Sequence, residues 1–244
     1  MCVLAFAWCR DDRWPIVLIG NRDERHARPA APLGRWEDSP ILAGRDLESG
    51  GTWLGVSEEG RLAVVTNVAT GAPAARRSRG AIVANFLRAD FLGTGDPIGG
   101  DRHLEDYNPF NLIAFDRRSA KFVSNQPRAV HRRLSPGLHA LANGGLDERL
   151  PRTDNLKAAL AEWLAGDRDR PEALLAALGV GRAAGDCVPV FIRDPVYGTR
   201  CSTVAAIDAG GRGLIVERRF HPDGSVSGET KLDFQWPSNP VPPV

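Results

Sequence analysis

Apolar residues fall along the chain in short runs that are apolar on both alternate faces: Val3 to Trp8, Ile16 to Ile19, Leu62 to Val65, Leu112 to Phe115, Val188 to Ile192 and Leu214 to Val216. A strand wetted on one side alternates apolar and polar residues, so these runs predict strands covered on both sides. Turn segments separate them at intervals typical of antiparallel sheets, among them Ser57-Glu58-Glu59-Gly60, Asp116-Arg117-Arg118-Ser119, Asp208 to Gly213 and Pro222-Asp223-Gly224. Three stretches switch to helical spacing. Ser78 to Phe91 carries Ile82, Val83, Phe86 and Leu87; Thr153 to Leu164 opens on an Asp/Thr cap and lines up Leu156, Leu160, Trp163 and Leu164; Pro171 to Leu178 starts with proline and stops at Gly179. Two stacked antiparallel sheets with helices on their outer faces would bury each run twice. The pattern therefore predicts an α+β fold, a four-layer αββα sandwich. A single domain is expected over residues 1–235, with a Pro-rich tail over 236–244 that cannot continue a sheet.

Composition narrows the function classes. The chain has 244 residues, 43% of them hydrophobic, and balances 31 basic against 30 acidic side chains. That balance gives no electrostatic case for nucleic acid or an anionic membrane surface. No apolar run approaches the roughly 18 to 20 residues needed to cross a bilayer, and the first residues lack a secretory pattern, so a cytoplasmic protein is the expectation. Four cysteines (Cys2, Cys9, Cys187, Cys201) are too few and too scattered for a disulfide framework. Five histidines (His26, His103, His131, His139, His221) show no ligand spacing, and no metal site is expected.

The first two apolar runs flank the charged tetrad Arg10-Asp11-Asp12-Arg13, which reads as a β-hairpin. If Cys9 pairs with Trp14, Cys2 lies across from Asn21, and a slip of one residue would still leave it beside Gly20 or Arg22. Cross-strand neighbours have Cβ atoms roughly 5 Å apart. The thiol of Cys2 is thus expected beside Asn21-Arg22-Asp23-Glu24. Removal of Met1 would leave Cys2 with a free α-amino group of pKa about 7.7 to 8.0, a built-in base for its own thiol. Arg22 could then hold the thiolate or a substrate carbonyl, and Asp23 could orient the α-ammonium. The plainer alternatives are a small buried strand cysteine and a solvated turn of mixed charge.

Asn67 closes a second apparent hairpin running from Gly50 through Gly55 and Gly60, and Asn143 follows the strand-like run Leu138 to Ala142. An Asn amide offers donors that do not titrate, which suits an oxyanion; each is equally an ordinary strand-end turn residue. Arg200 enters the strand Val204 to Ile207 and could bind a substrate carboxylate or stand solvated. Trp53 reads as core. No Gly-x-Ser-x-Gly elbow or phosphate loop is present.

Met1-Cys2, Asn21-Arg22-Asp23-Glu24, Gly50-Gly51-Thr52-Trp53-Leu54-Gly55, Thr66-Asn67, Asn143 with Leu150-Pro151-Arg152, and Tyr197-Gly198-Thr199-Arg200-Cys201-Ser202-Thr203 together resemble the NRDE family, also called the transport and Golgi organisation family. That family is more distantly similar to the cysteine branch of the N-terminal-nucleophile hydrolases, which includes penicillin V acylase, bile salt hydrolase and acid ceramidase. The resemblance implies the same αββα sandwich, with Cys2 as nucleophile, Arg22 and Asp23 holding it, Asn67 and Asn143 completing an oxyanion site, and Arg200 as the late arginine. The hydrolase branch has Gly-Arg-Asn-x-Asp where this chain has Asn-Arg-Asp-Glu. Two activities follow from the resemblance. One is hydrolysis of a non-peptide amide or related acyl bond, which needs no cofactor; the other is non-catalytic handling of haem or of a lipid or acyl-CoA-like ligand. The expected partner is a small molecule or lipid-like ligand in either case.

Overall fold

The computed structural model describes residues 2–68, 77–88, 104–166, 168–179 and 189–237. In chain order the strands are β1 (Cys2–Trp8), β2 (Ile16–Arg25), β3 (Ala30–Arg35), β4 (Ile41–Asp46), β5 (Leu54–Ser57), β6 (Arg61–Asn67), β7 (Phe110–Asp116), β8 (Ala120–Ser124), β9 (Val130–Arg133), β10 (Gly137–Leu141), β11 (Tyr197–Ile207), β12 (Arg212–Phe220) and β13 (Val226–Gln235). Helix α1 (Arg79–Arg88) precedes β7, and α2 (Pro151–Ala165) and α3 (Leu175–Leu178) lie between β10 and β11. The chain divides into two compact units, one formed by residues up to Arg28 together with those from Pro136 onward, the other by Pro29–Ser135.

The first unit is a six-stranded antiparallel sheet in the order β10-β1-β2-β11-β12-β13. Val3, Ala5, Ala7, Val17, Ile19, Val204 and Ala206 point from it onto Leu156 and Leu160 of α2 and Leu175 and Leu178 of α3. The alternate residues Leu4, Phe6, Ile16, Leu18 and Ala205 are also fully buried. Doubly apolar runs thus do become strands covered on both sides, because successive side chains leave a strand in opposite directions. The second unit is a seven-stranded sheet in the order β3-β4-β5-β6-β7-β8-β9. Helix α1 lays Ile82, Val83, Phe86 and Leu87 over Ala63, Val65, Leu112 and Ala114. The Gly50-Gly51 pair has a packing role here. A Cβ on Gly51 would stand 2.3 Å from the Gly80 carbonyl carbon, so only glycine lets the start of α1 approach closely enough for Thr52 N–H to bond Gly80 O at 3.2 Å.

Several expectations are corrected. The hairpin pairs Trp8 with Ile16 and Cys2 with Arg22, one residue away from the Cys2–Asn21 register. Asp11 is the reason: its carboxylate accepts the backbone N–H groups of Arg13 and Trp14, which keeps Trp14 in the turn and delays the second strand to Ile16. Helix α2 begins two residues early, at Pro151, since proline is preorganised for the first helical position and the Thr153 hydroxyl accepts the Leu150 N–H. The strand expected from Val188 to Ile192 does not form over residues 189–192, where Asn21 and Arg152 take the Val190 carbonyl that a ladder would use. Trp236, assigned to the tail, is buried, with its backbone N–H bonded to Gly211 O. Met1, His103, Cys187, Val188, the last three residues of the first expected helix and residues 238–244 lie outside the described residues. Among the described residues no helix is long and apolar enough to cross a membrane.

Candidate active site around Cys2

Cys2 opens β1. Its partner across the ladder is Arg22 in β2; the partner of Arg22 on the other side is Cys201 in β11, and Cys201 in turn pairs with Arg219 in β12. Antiparallel partners share a face, so Cys2, Arg22, Cys201 and Arg219 form one row. The next row, Val3, Asn21 and Ser202, faces the other way, toward the helices.

A β-bulge keeps these rows apart. Between Thr199 and Cys201 the register with β2 shifts, leaving Arg200 as the extra residue. Residues two apart in a regular strand share a face; the inserted residue instead lets Thr199 face Asp23 while Cys201 faces Arg22. Arg200 turns outward and donates from Nη1 to the carbonyls of Arg25 and Arg28 at 2.8 and 2.9 Å, pinning the chain as it leaves β2. Partial burial and the neighbouring Arg22 charge lower the pKa of Arg200.

The two faces differ in their bonding. On the helix side Asn21, fully buried, donates to Leu178 O at 2.9 Å and Val190 O at 3.1 Å and accepts from the Ser202 hydroxyl at 2.7 Å. Asp23 accepts from Arg152 Nη2 at 2.9 Å and from the Thr199 hydroxyl at 2.7 Å. Burial raises the Asp23 pKa against the opposing pull of Arg152. On the other side, burial pushes the Cys2 thiol above its ordinary value and the Asp23 charge adds to this, while a hydrogen bond from the Asp23 backbone and the Arg22 charge oppose it. Cys201 is pushed well up, first by burial and then by Glu217, whose carboxylate accepts a hydrogen bond from the thiol and is itself held by Arg219 at 3.1 Å. The Arg22 guanidinium stands 3.9 Å from the Glu24 carboxylate.

Asn143 approaches from the opposite side of β1. The β1–β10 ladder ends where Leu4 pairs with Leu141, so Asn143, two residues beyond the end of β10, and Cys2, two residues before Leu4, belong to the same end of this strand pair. Ala140 and Ala142 face the helices, and Asn143 lies in the bend that follows. Asn67 ends β6 in the second unit, where its ladder partner is Phe110. Of the residues singled out in the sequence, Cys2, Arg22, Asp23, Asn143 and Arg200 are gathered in the first unit, although the Asp23 carboxylate is committed to Arg152 and Thr199. Arg152, Thr199, Ser202 and Glu217 had no role assigned from sequence. The signal for the first three was their place in the quoted motifs; Glu217, in β12, had none.

Comparison with known proteins gives the setting. The family model described as Transport and Golgi organisation 2 matches residues 1–222. The Transport and Golgi organization protein 2 homolog of Bos taurus is 32% identical over 94% of this chain and 97% of its own length. The Homo sapiens homolog is 31% identical over 95% of this chain and 97% of its own. Among solved structures, a mutant of the conjugated bile acid hydrolase from Clostridium perfringens superposes with a TM-score of 0.54 at 9% identity, covering 96% of this chain and 92% of that one. A further variant of that hydrolase gives 0.51 at 8% identity, covering 97% of both chains. The likeness shows the expected α+β sandwich fold of the N-terminal-nucleophile hydrolases.

Proposed function

The chain belongs to the Transport and Golgi organisation 2 family, and from that premise we propose that it is a cysteine hydrolase of the N-terminal-nucleophile type, acting on a non-peptide amide or related acyl bond. The observation that carries the reading is the setting of Cys2: a thiol at a strand start, beside the Arg22 charge, bonded by the Asp23 backbone, at the end of the β1–β10 pair from which the chain leads on to Asn143. Because burial holds that thiol protonated, attack requires a base. The α-amino group of Cys2, freed by removal of Met1, supplies it. The sulfur adds to the acyl carbonyl, the Asn143 amide donates to the oxyanion, and the collapsing intermediate expels an amine that takes the proton from the α-ammonium. Water then attacks the thioester, passing a proton to the α-amine, and releases the acid and the thiol. Intact-mass analysis of protein with a verified free Cys2 amine, incubated with N-acyl-7-amino-4-methylcoumarin amides and acyl thioesters, tests this. An acyl adduct present in the parent and absent in Cys2→Ala supports it; no adduct with any donor overturns it.

A second reading draws on the same protonated thiol and on the word transport in the name of the family: a non-catalytic carrier of haem or of a lipid or acyl-CoA-like ligand. Among the described residues no three His, Cys, Asp or Glu side chains cluster as a metal site. Haem could still be held by a single axial ligand or none. A Soret shift on adding haem that survives Cys2→Ala would favour carriage over catalysis.

A further inference from the structure

The seven residues that follow β10 are tied down more firmly than a surface turn requires. Asp147 sits at φ 61°, a left-handed conformation uncommon outside glycine. Its N–H donates to Ala140 O at 2.9 Å while its Oδ1 accepts Ala140 N–H at 3.0 Å, closing the chain between them into a loop. The other carboxylate oxygen bonds His139 Nδ1 at 2.8 Å, and Lys157 of α2 reaches Oδ1 at 3.3 Å. His139 in turn stacks on Phe6 of β1 at 5.2 Å between ring centres. Glu148 completes the closure: its carboxylate accepts Gly145 N–H at 3.0 Å and occupies the place where a side chain on Gly144 would project. Although burial alone would raise it, the bonds from His139 and Ala140 and the Lys157 charge bring the Asp147 pKa down to about 2. The anchor is therefore a carboxylate at any physiological pH.

The loop closed in this way carries Asn143. Backbone strain of this kind persists only where surrounding structure holds it, and it gathers at functional positions. We propose that Asp147 is a positioning residue, fixing the Asn143 loop so that the Asn143 amide meets the oxyanion formed at Cys2. The assignment rests on the hydrolase reading. Asp147 touches no reacting atom and acts through Asn143 alone.

The test uses full-length protein and two independent readouts. The first is amide hydrogen exchange of residues 141–146, which reports loop opening without any substrate. The second is single-turnover acylation of Cys2 by an N-acyl-7-amino-4-methylcoumarin amide, resolved into maximal rate and half-saturating concentration. Asp147→Ala is expected to speed exchange of the loop about tenfold or more. Its maximal acylation rate should fall roughly 10- to 100-fold with half-saturation little changed, as expected for a displacement of about 1 Å at a reacting group. Combined with Asn143→Ala it should add nothing, since both changes remove the same donor. Asp147→Asn keeps an acceptor for Ala140 and tolerates the left-handed conformation, so it should recover most of the rate; it also carries the comparison if Asp147→Ala does not fold. Unchanged exchange overturns the proposal, as does a loosened loop with a parental acylation rate, or losses that multiply in the double variant. If the parent protein with a free Cys2 amine forms no acyl-enzyme, the hydrolase reading fails and the catalytic role of Asp147 falls with it. The exchange arm then still decides whether Asp147 holds the loop.

Discussion

Consider the two faces of the first unit's sheet where β2 ends. Toward the helices, Asn21 and Asp23 are sealed from solvent, and each side chain has at least two bonds of ordinary length to named partners. Toward the thiol, Arg22 is 9% exposed, as is Cys2, and its ion pair with Glu24 is stretched to 3.9 Å. Consecutive residues of one tetrapeptide thus have opposite duties. The even position meets the candidate nucleophile, and the odd ones bolt the strand to α2, α3 and the chain around Val190. Strand geometry alone imposes this division, because neighbouring side chains must leave on opposite sides.

The sharpest way to break the comparison is Cys2→Ala, which should abolish acylation while changing unfolding free energy by no more than about 1 kcal/mol, measured by urea titration beside the adduct assay. Arg152→Ala is the converse. It leaves the Asp23 carboxylate buried without its cation and should cost about 3–5 kcal/mol of stability. A loss below 1 kcal/mol would mean that the helix-side pair is not the framework described. Next, Arg22→Met keeps the apolar stem but removes the charge. Acylation should drop in the same adduct assay, because the charge beside the Cys2 thiol is gone. The smallest effect is expected from acid. With its pKa near 2 against an ordinary 3.8, Asp147 contributes stability that is fully present above 3.8 and is lost as pH falls through about 2. The difference in urea midpoint between the parent and Asp147→Asn should therefore shrink over that range; a constant difference would deny the carboxylate its role.

Much of the fold was legible because burial writes itself into local pattern. Val3 to Trp8 and Leu112 to Phe115 could hardly be anything but doubly covered strands, and the third helix does end at Leu178, before Gly179. The candidate site was legible in composition but not in direction. Asn21-Arg22-Asp23-Glu24 reads as one polar cluster until alternation is applied and the register is known, and the register turned on the Asp11 carboxylate in the turn. Arg152 stood in a recognised motif, yet its partner lies 129 residues away, and no local pattern encodes a pairing at that separation. Nothing in Leu146-Asp147-Glu148 announces a left-handed residue, so Asp147 carries no local signal.

Arg200 shows what a single inserted residue can fix. Strand β11 before it and β11 after it are out of phase, and both phases are used: Thr199 supports the Asp23 carboxylate, while Cys201 and its Glu217 partner lie on the thiol side. Replacing Arg200 changes one side chain, but excising it would rotate one half of the strand by half a turn relative to the other. Chain length at this point is consequently more constrained than residue identity, and the Tyr197-to-Thr203 segment should accept substitutions far more readily than gaps.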